Sequence, residues 1–239
     1  HPPLATDDPT EVRQAATAFN RMQERVREMM AERTQILAAV THDLKTPLTR
    51  MRLRLEGCND DALREKLGGD LVAMQRLVDE GLELARSMQS VEPAARLDLD
   101  ALLSAIADDA ADAGQPVRYS GAGSGSIQAG CKPNALRRAV ENLVDNAIKY
   151  GGGALLSLSA EEGLACIRIS DDGPGIPEER LAEVLRPFVR LESSRSRESG
   201  GTGLGLAIAS NLVSAQGGRL VLENRPTGGL AATIMLPLD

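Results

Sequence analysis

The chain has no tryptophan, and its only aromatic residues are Phe19, Tyr119, Tyr150 and Phe188. Its core must therefore be built from Leu, Ala, Val, Ile and Met, and an aromatic platform for stacking single-stranded nucleic acid is excluded. Cysteine is also scarce. Cys58, Cys131 and Cys166 are odd in number and lack metal-ligand spacing, so they read as reduced packing residues in a cytosolic setting. There is no excess of positive charge: 27 Lys and Arg stand against 34 Asp and Glu, a net charge of −7. Residues 1–57 carry nine bases and eight acids, and the remainder eighteen and twenty-six, so neither part offers the basic surface that a phosphate backbone demands. Long apolar runs are missing too. The longest uncharged stretch, 199–218, holds six glycines with Ser, Thr, Asn and Gln, the composition of a ligand loop rather than of a membrane span. No signal peptide or lipidation motif is present, and the expectation is a chain that itself touches neither nucleic acid nor membrane.

What remains is an ordinary globular composition. The 239 residues, 42% hydrophobic and 26% charged, allow one large domain or two modest ones. The start at His1-Pro2-Pro3, without Met, suggests a piece of something longer. From Thr10 a helical pattern begins, with Phe19, Met22, Val26, Met29, Ile36 and Val40 at alternating spacings of three and four, interrupted by Arg33. It runs on through Leu44, Leu48, Met51 and Leu55, with Pro47 inside it, where a local bend is expected. Residues 57–61 read as a turn. A second helix follows, with Leu63, Leu67, Leu71, Met74, Val78, Leu82, Ala85 and Met88 on one face. Two long helices and a short turn make an antiparallel hairpin that cannot cover both seams alone. Pairing of two chains into a four-helix bundle completes it. A hairpin packed only on its own chain is the alternative.

After a linker near Val91-Glu92-Pro93-Ala94, helices and strands alternate. Helices are expected over 99–113, 133–150, 178–185 and 206–216, and strands over 155–160, 165–170, 220–224 and 231–236. Residues 120–130 read as a Gly/Ser-rich loop, 173–177 as a turn, and Gly151 as the stop of the 133–150 helix. This is an α+β layer domain.

Four clusters carry chemistry. His42, the only internal histidine, lies in Thr41-His42-Asp43-Leu44-Lys45-Thr46-Pro47; Thr46 shares its helical face, and Asp43 can hold one imidazole tautomer and leave the other nitrogen nucleophilic. A solvated helix histidine stands as the plain alternative. Asn142 and Asn146, at i and i+4, place two amide oxygens where a hard cation such as Mg²⁺ can be shared with substrate phosphates, and Lys149 can reach phosphate. Against that stands a polar surface helix, although Asn is a poor interior helix former. Asp171-Asp172-Gly173-Pro174-Gly175-Ile176-Pro177 follows a strand, offering a carboxylate to an exocyclic amine and glycines to a flat ligand. Gly200-Gly201-Thr202-Gly203-Leu204-Gly205-Leu206 opens a helix whose free N–H groups suit phosphate; it fits neither a P-loop nor a dinucleotide fingerprint. Taken alone, either glycine box serves equally as a tight turn.

The order His-Asp-x-x-Thr-Pro, Asn-x-x-x-Asn-Ala, Asp-x-Gly-x-Gly, Gly-x-Gly-x-Gly resembles that of sensor histidine kinases of bacterial two-component systems, over nearly the whole chain. Pro187-Phe188-Val189-Arg190 resembles that family's Phe box at the start of a mobile lid, and Ala18-Phe19-Asn20-Arg21-Met22 the second helix of a HAMP module. The resemblance implies a remnant of HAMP helix and signalling linker over 1–30, a dimerisation and phosphotransfer hairpin over 31–92, and over 93–239 an ATP-binding α+β two-layer sandwich of the kind shared with gyrase and MutL. It implies His42 as phosphoacceptor, Asp43 as its base or orienting partner, and Thr46 as the residue that positions water for regulator dephosphorylation. Asn146, with Asn142, would hold Mg²⁺; Lys149 would contact phosphate and Tyr150 the adenine side. Asp171 would accept from the adenine amino group, with Gly173, Gly175 and Ile176 making room for the base. Phe188, Arg190, Gly201, Thr202, Gly203, Leu204 and Gly205 would form the lid and phosphate cradle.

The implied partners are a second copy of the chain, ATP, Mg²⁺ and the receiver domain of a response regulator. The implied location is the cytoplasmic portion of a bacterial inner-membrane sensor. Two departures stand out: Asp follows the histidine where Glu is commoner, and Leu230-Ala231-Ala232 lack a hydroxyl that many relatives place near the last strand. Two other readings compete. One is a clamp ATPase of the gyrase/MutL type, which usually carries a catalytic Glu where Asn142 stands here; the other is a scaffold with an inactive catalytic domain.

Overall fold

The computed structural model describes residues 10–58, 60–87, 92–121, 125–191 and 202–238; within the first helix, the side chains of 10–13, 15, 26–28, 30, 31, 33–38, 41 and 42 lie outside that description. The chain divides into two compact units between Leu71 and Val72.

The first helix, α1 (Thr10–Glu56), is continuous through Pro47. Along it Leu48 and Ala16 are buried, whereas Phe19, Met22, Met29, Val40, Leu44 and Met51 are exposed. Helix α2 (Asp61–Ser87) starts at Asp60, whose Oδ1 accepts from Leu63 N at 3.0 Å in the manner of an N-cap. Its N-terminal stretch packs on α1 through Leu55, which reaches Gly68. Leu63 and Leu67 on the predicted seam remain exposed.

The second unit is a sheet covered by helices. After strand β1 (Ala95–Asp98) comes helix α3 (Leu99–Asp112), capped by Asp98 through Ala101 N at 3.1 Å. A hydrogen bond from Ser126 and the one from Ala101 hold the Asp98 carboxyl below its ordinary range. Then follow β2 (Val117–Tyr119), β3 (Gln128–Cys131), helix α4 (Pro133–Gly151), β4 (Ala154–Glu161), β5 (Leu164–Ser170), a 3-10 turn (Glu178–Arg180), helix α5 (Gly205–Ser214), β6 (Arg219–Asn224) and β7 (Leu230–Pro237). The main sheet runs β2-β4-β5-β7-β6, parallel only between β2 and β4; β1 and β3 form a separate antiparallel pair. Central register sets Leu158 opposite Ile167 and Ile167 opposite Ile234. These side chains meet Leu103 and Leu136 of the helices, and Val140, Ile208 and Val213, in one core without aromatic rings. The alternation in β4, buried at Ala154, Leu156 and Leu158 and exposed at Leu155, marks a sheet covered on one face. The helical hairpin followed by an α+β two-layer sandwich is thus the architecture observed.

Several local expectations need correction. The stretch 120–130, read as loop, contributes Gln128, Ala129 and Gly130 to β3, because Ala129 and Cys131 alternate inward. Neither β1 nor β2 was expected; each has only three or four residues, too few to carry a period. The 178–185 helix shrinks to the 3-10 turn, since Glu178-Glu179-Arg180 buries nothing. Helix α4 includes Gly151 and is stopped by Gly152, left-handed at φ +75°.

Candidate nucleotide site

The site is built around the last two turns of α4. Asn142 Nδ2 donates to Arg138 O at 2.9 Å, which turns its Oδ1 toward the start of α5. There Gly205 lies against both amides: a methyl group on it would stand 3.3 Å from Asn142 Oδ1 and 3.3 Å from Asn146 Nδ2. Asn146 Nδ2 is buried without a hydrogen-bond partner. A buried amide without a partner is costly unless something arrives to satisfy it, and its two ends are interchangeable by a flip. Two amide oxygens over a helix start fit a hard cation that shares its shell with phosphate. Among the described residues no group of three His, Cys, Asp or Glu forms a metal cluster.

One turn further, Lys149 is half-buried. Burial pushes its ammonium below the usual range, while the Glu80 carboxylate opposes that shift and the Arg190 and Arg76 charges add to it. Its Nζ lies 5.3 Å from the centroid of the exposed Tyr150 ring. Partial desolvation of that ring pushes the Tyr150 phenol above its ordinary range.

The far wall is backbone. Asp171, just after β5, donates its N–H to Leu230 O at 2.9 Å, and its Oδ1 accepts from Gly173 N at 2.8 Å and Leu230 N at 3.2 Å. Among the described residues Oδ2 takes no hydrogen bond. Arg225 donates to the Asp171 carbonyl and to Asp172 Oδ1. Side chains are excluded on three sides: a Cβ on Gly151 would strike the Asp171 side chain, one on Gly229 its carbonyl, and one on Gly173 would stand 2.7 Å from Tyr150 O. Gly175 is left-handed at φ +71°, and Asn224 brackets Ile176 by accepting from its N–H at 2.8 Å and donating to its carbonyl at 2.6 Å.

A third group joins residues 188–190 to 202–205. Phe188, 66% exposed and left-handed at φ +65°, donates its N–H to Gly203 O at 3.0 Å. Gly203, at φ +75°, packs against Val189 O and Arg190 Cγ. Leu204 N donates to Thr202 Oγ1 at 3.3 Å, and Leu204 is fully buried.

The structure thus brings together Asn142, Asn146 and Gly205; Lys149, Tyr150, Asp171 and Gly173; and Phe188, Arg190, Thr202 and Gly203. Gly201 and the lid stretch 192–201 lie outside the described residues. His42, Asp43 and Thr46 stand on α1 in the other compact unit, Asp43 and Thr46 exposed; the His42 side chain lies outside the described residues. Sequence reasoning missed Gly151, Gly229, Asn224 and Arg225. Gly228-Gly229 between two strands was a readable turn signal, but its contact with Asp171 depends on β5 and β7 being neighbours. At the departure from the family pattern, the Leu230 backbone meets Asp171, while Thr233 pairs with Arg168 further along β5.

Residues 131–239 match the family described as histidine kinase-, DNA gyrase B-, and HSP90-like ATPase, and residues 32–90 match the His Kinase A (phospho-acceptor) domain. Sensor histidine kinase GtrS of Pseudomonas aeruginosa is 40% identical over 228 residues, 95% of this chain and 47% of that protein. Sensor histidine kinase CpxA of Escherichia coli is 31% identical over 249 residues, covering 100% of this chain and 54% of that protein. The chain therefore spans about half the length of the curated relatives it matches. Among solved structures, full-length ShkA in complex with AMPPNP aligns with a TM-score of 0.64 at 26% identity, over 85% of this chain and 45% of that one. The ATP binding domain of PrrB from Mycobacterium tuberculosis aligns at 0.51 and 29% identity, over 62% of this chain and 99% of that one. The chain belongs to the sensor histidine kinases of bacterial two-component systems, a class of protein histidine kinases.

Proposed function

We propose that the chain is a homodimeric autokinase that uses ATP and Mg²⁺ to phosphorylate His42, passes the phosphoryl group to an aspartate on a response-regulator receiver domain, and also dephosphorylates that regulator. The observation that carries this reading is the pairing of Asn142 and Asn146 over Gly205, with Asp171 walled by three glycines at the other end. Asp171 presents an acceptor oxygen to a base, and residues 202–205 present the start of a helix to phosphates. Asn146 and Asn142 would hold Mg²⁺, which when bound neutralises charge on the transferred phosphoryl group. In the transfer, a His42 ring nitrogen forms a bond to the γ-phosphorus, the bond to the ADP oxygen breaks, and the ring proton passes to Asp43. Positioning and charge neutralisation supply most of the acceleration. Thr46, one turn from His42, orients water in the reverse duty.

The domain reading follows: 1–30 as HAMP remnant and linker, 31–92 as dimerisation and phosphotransfer hairpin, and 93–239 as the ATP-binding domain. The exposed seam residues Met22, Met29, Met51 and Leu63 favour burial against a second copy. Among the described residues no helix is long and apolar enough to cross a membrane. We place the chain as the cytoplasmic portion of an inner-membrane sensor. A clamp ATPase is disfavoured because Asn142, not a glutamate, stands one turn before Asn146, while the adjacent Glu141 pairs with Arg137 at 3.5 Å.

The test mixes chains. His42→Gln alone should lose acid-labile, alkali-stable phosphate while binding nucleotide normally. Label appearing when it is mixed with Asn146→Ala chains would mean transfer between protomers. Persistent phosphorylation of His42→Gln at another residue would overturn the assignment.

A further inference from the structure

From Val72 onward, α2 belongs to the same compact unit as the sandwich, and one of its faces is engaged there. Glu80 accepts a hydrogen bond from Thr202 Oγ1. Glu83 receives Arg138 as a fork, Nη2 at 2.8 Å and Nε at 3.0 Å. Ser87, 2% exposed, faces Asn211 Nδ2 at 3.5 Å, while Leu84 packs on the core. Positions 80, 83, 84 and 87 recur at three and four, so a single helix face makes all these contacts.

Glu80 stands where the chemistry is. Thr202 opens the turn that leads into α5, and its hydroxyl, which accepts a hydrogen bond from Leu204 N, donates one to this carboxylate. The same charge acts on Lys149 and Tyr150 at the end of α4. A carboxylate on a hydroxyl donor, with its charge acting on a lysine and close to a helix start, offers the oxygens and negative charge that a phosphate would bring. We propose that Glu80 is an internal phosphate mimic: while this half of α2 is docked, its carboxylate competes with the nucleotide's terminal phosphate for Thr202 and Lys149. The Glu83–Arg138 fork holds it there, and Arg138 is the residue whose carbonyl orients Asn142. Nucleotide entry and release of α2 are then two sides of one equilibrium. This inference rests on the assignment of phosphates to residues 202–205.

The test is calorimetric binding of AMPPNP with Mg²⁺ to the whole chain. Glu80→Gln keeps the shape and removes the charge. It should bind about 5- to 150-fold more tightly than the wild type, the usual span of coupling between two sites; unchanged or weaker binding overturns the mimic. Asn146→Ala separates the two layers of the argument: weakened binding upholds the site, whereas unchanged binding shows the site itself misassigned. A second measurement needs no variant. Because coupling is reciprocal, AMPPNP with Mg²⁺ must speed hydrogen exchange over residues 76–87 of the wild type, and slowed or unchanged exchange there overturns the proposal.

Discussion

The hairpin and the sandwich spend the same aromatic-poor alphabet in different ways. In the sandwich, Leu136, Leu156, Ile167, Ile208 and Ile234 are fully buried in one closed core. In the unit that ends at Leu71, Ala16 and Leu48 are the only apolar side chains buried among the described residues, while Phe19, Met22, Met51, Leu53 and Leu63 are 41–61% exposed. Each fully buried aliphatic side chain contributes about 1.5–3 kcal/mol, so the sandwich carries its own stability and the hairpin has an apolar seam left to cover. One unit closes its own core, and the other leaves exposed the apolar seam that the proposed second copy would cover.

The sharpest way to break this comparison is at the phosphoacceptor motif, which the hairpin alone carries. Asp43→Ala should slow autophosphorylation about 10²–10⁴-fold, the scale of losing a positioned base. Thr46→Ala should leave that rate intact and impair dephosphorylation of the regulator. Radiolabel incorporation and regulator turnover, measured on both variants, decide it; equal losses of both activities in both would merge the roles. Stability comes next. Ile167→Ala, in the centre of the sheet, should cost the sandwich about 2–5 kcal/mol in denaturant unfolding. Leu63→Ala, 45% exposed, should leave that transition in place and weaken dimerisation in sedimentation. If Leu63→Ala lowered the sandwich transition as much as Ile167→Ala, the two units would not be independently stabilised.

The smallest expected effect lies in the linker. Helix α4 has no side-chain cap of its own at Lys132; Glu92 supplies one, accepting from Asn134 N at 2.9 Å and Ala135 N at 3.0 Å. Glu92→Ala should destabilise the sandwich by about 0.5–2 kcal/mol, read in the same unfolding experiment. An unchanged midpoint would show that the cap contributes nothing to the unit.

The elements with strong periodicity were legible in the sequence. Helices α1, α2 and α4 followed their apolar spacing to within a few residues, and the Asn142–Asn146 pair and Asp171 were marked by residues that ordinary helices and strands have little use for. What was hidden depended on partners far along the chain. Strands β1 and β3 are four residues each and exist because they pair with one another. Gly229 backs Asp171 from 58 residues away, a contact created by β7 lying beside β5. Glu80 and Glu92 carried no signal of their own, because nothing local distinguishes a solvated glutamate from one that caps a remote helix or holds a remote hydroxyl.

The wall around Asp171 also bears on resistance to inhibitors. Gly151, Gly173 and Gly229 crowd that carboxylate so closely that any side chain at these positions collides with it or with its neighbouring backbone. An inhibitor anchored there would meet a surface that point mutation cannot reshape without displacing the anchor itself. The opposite end of the site is lined by Asn142, Asn146, Lys149 and Thr202, whose side chains can be exchanged one at a time. Escape variants selected against a compound spanning the whole site should therefore accumulate at Thr202 rather than at the Asn pair proposed to hold Mg²⁺, while the glycine end stays unchanged.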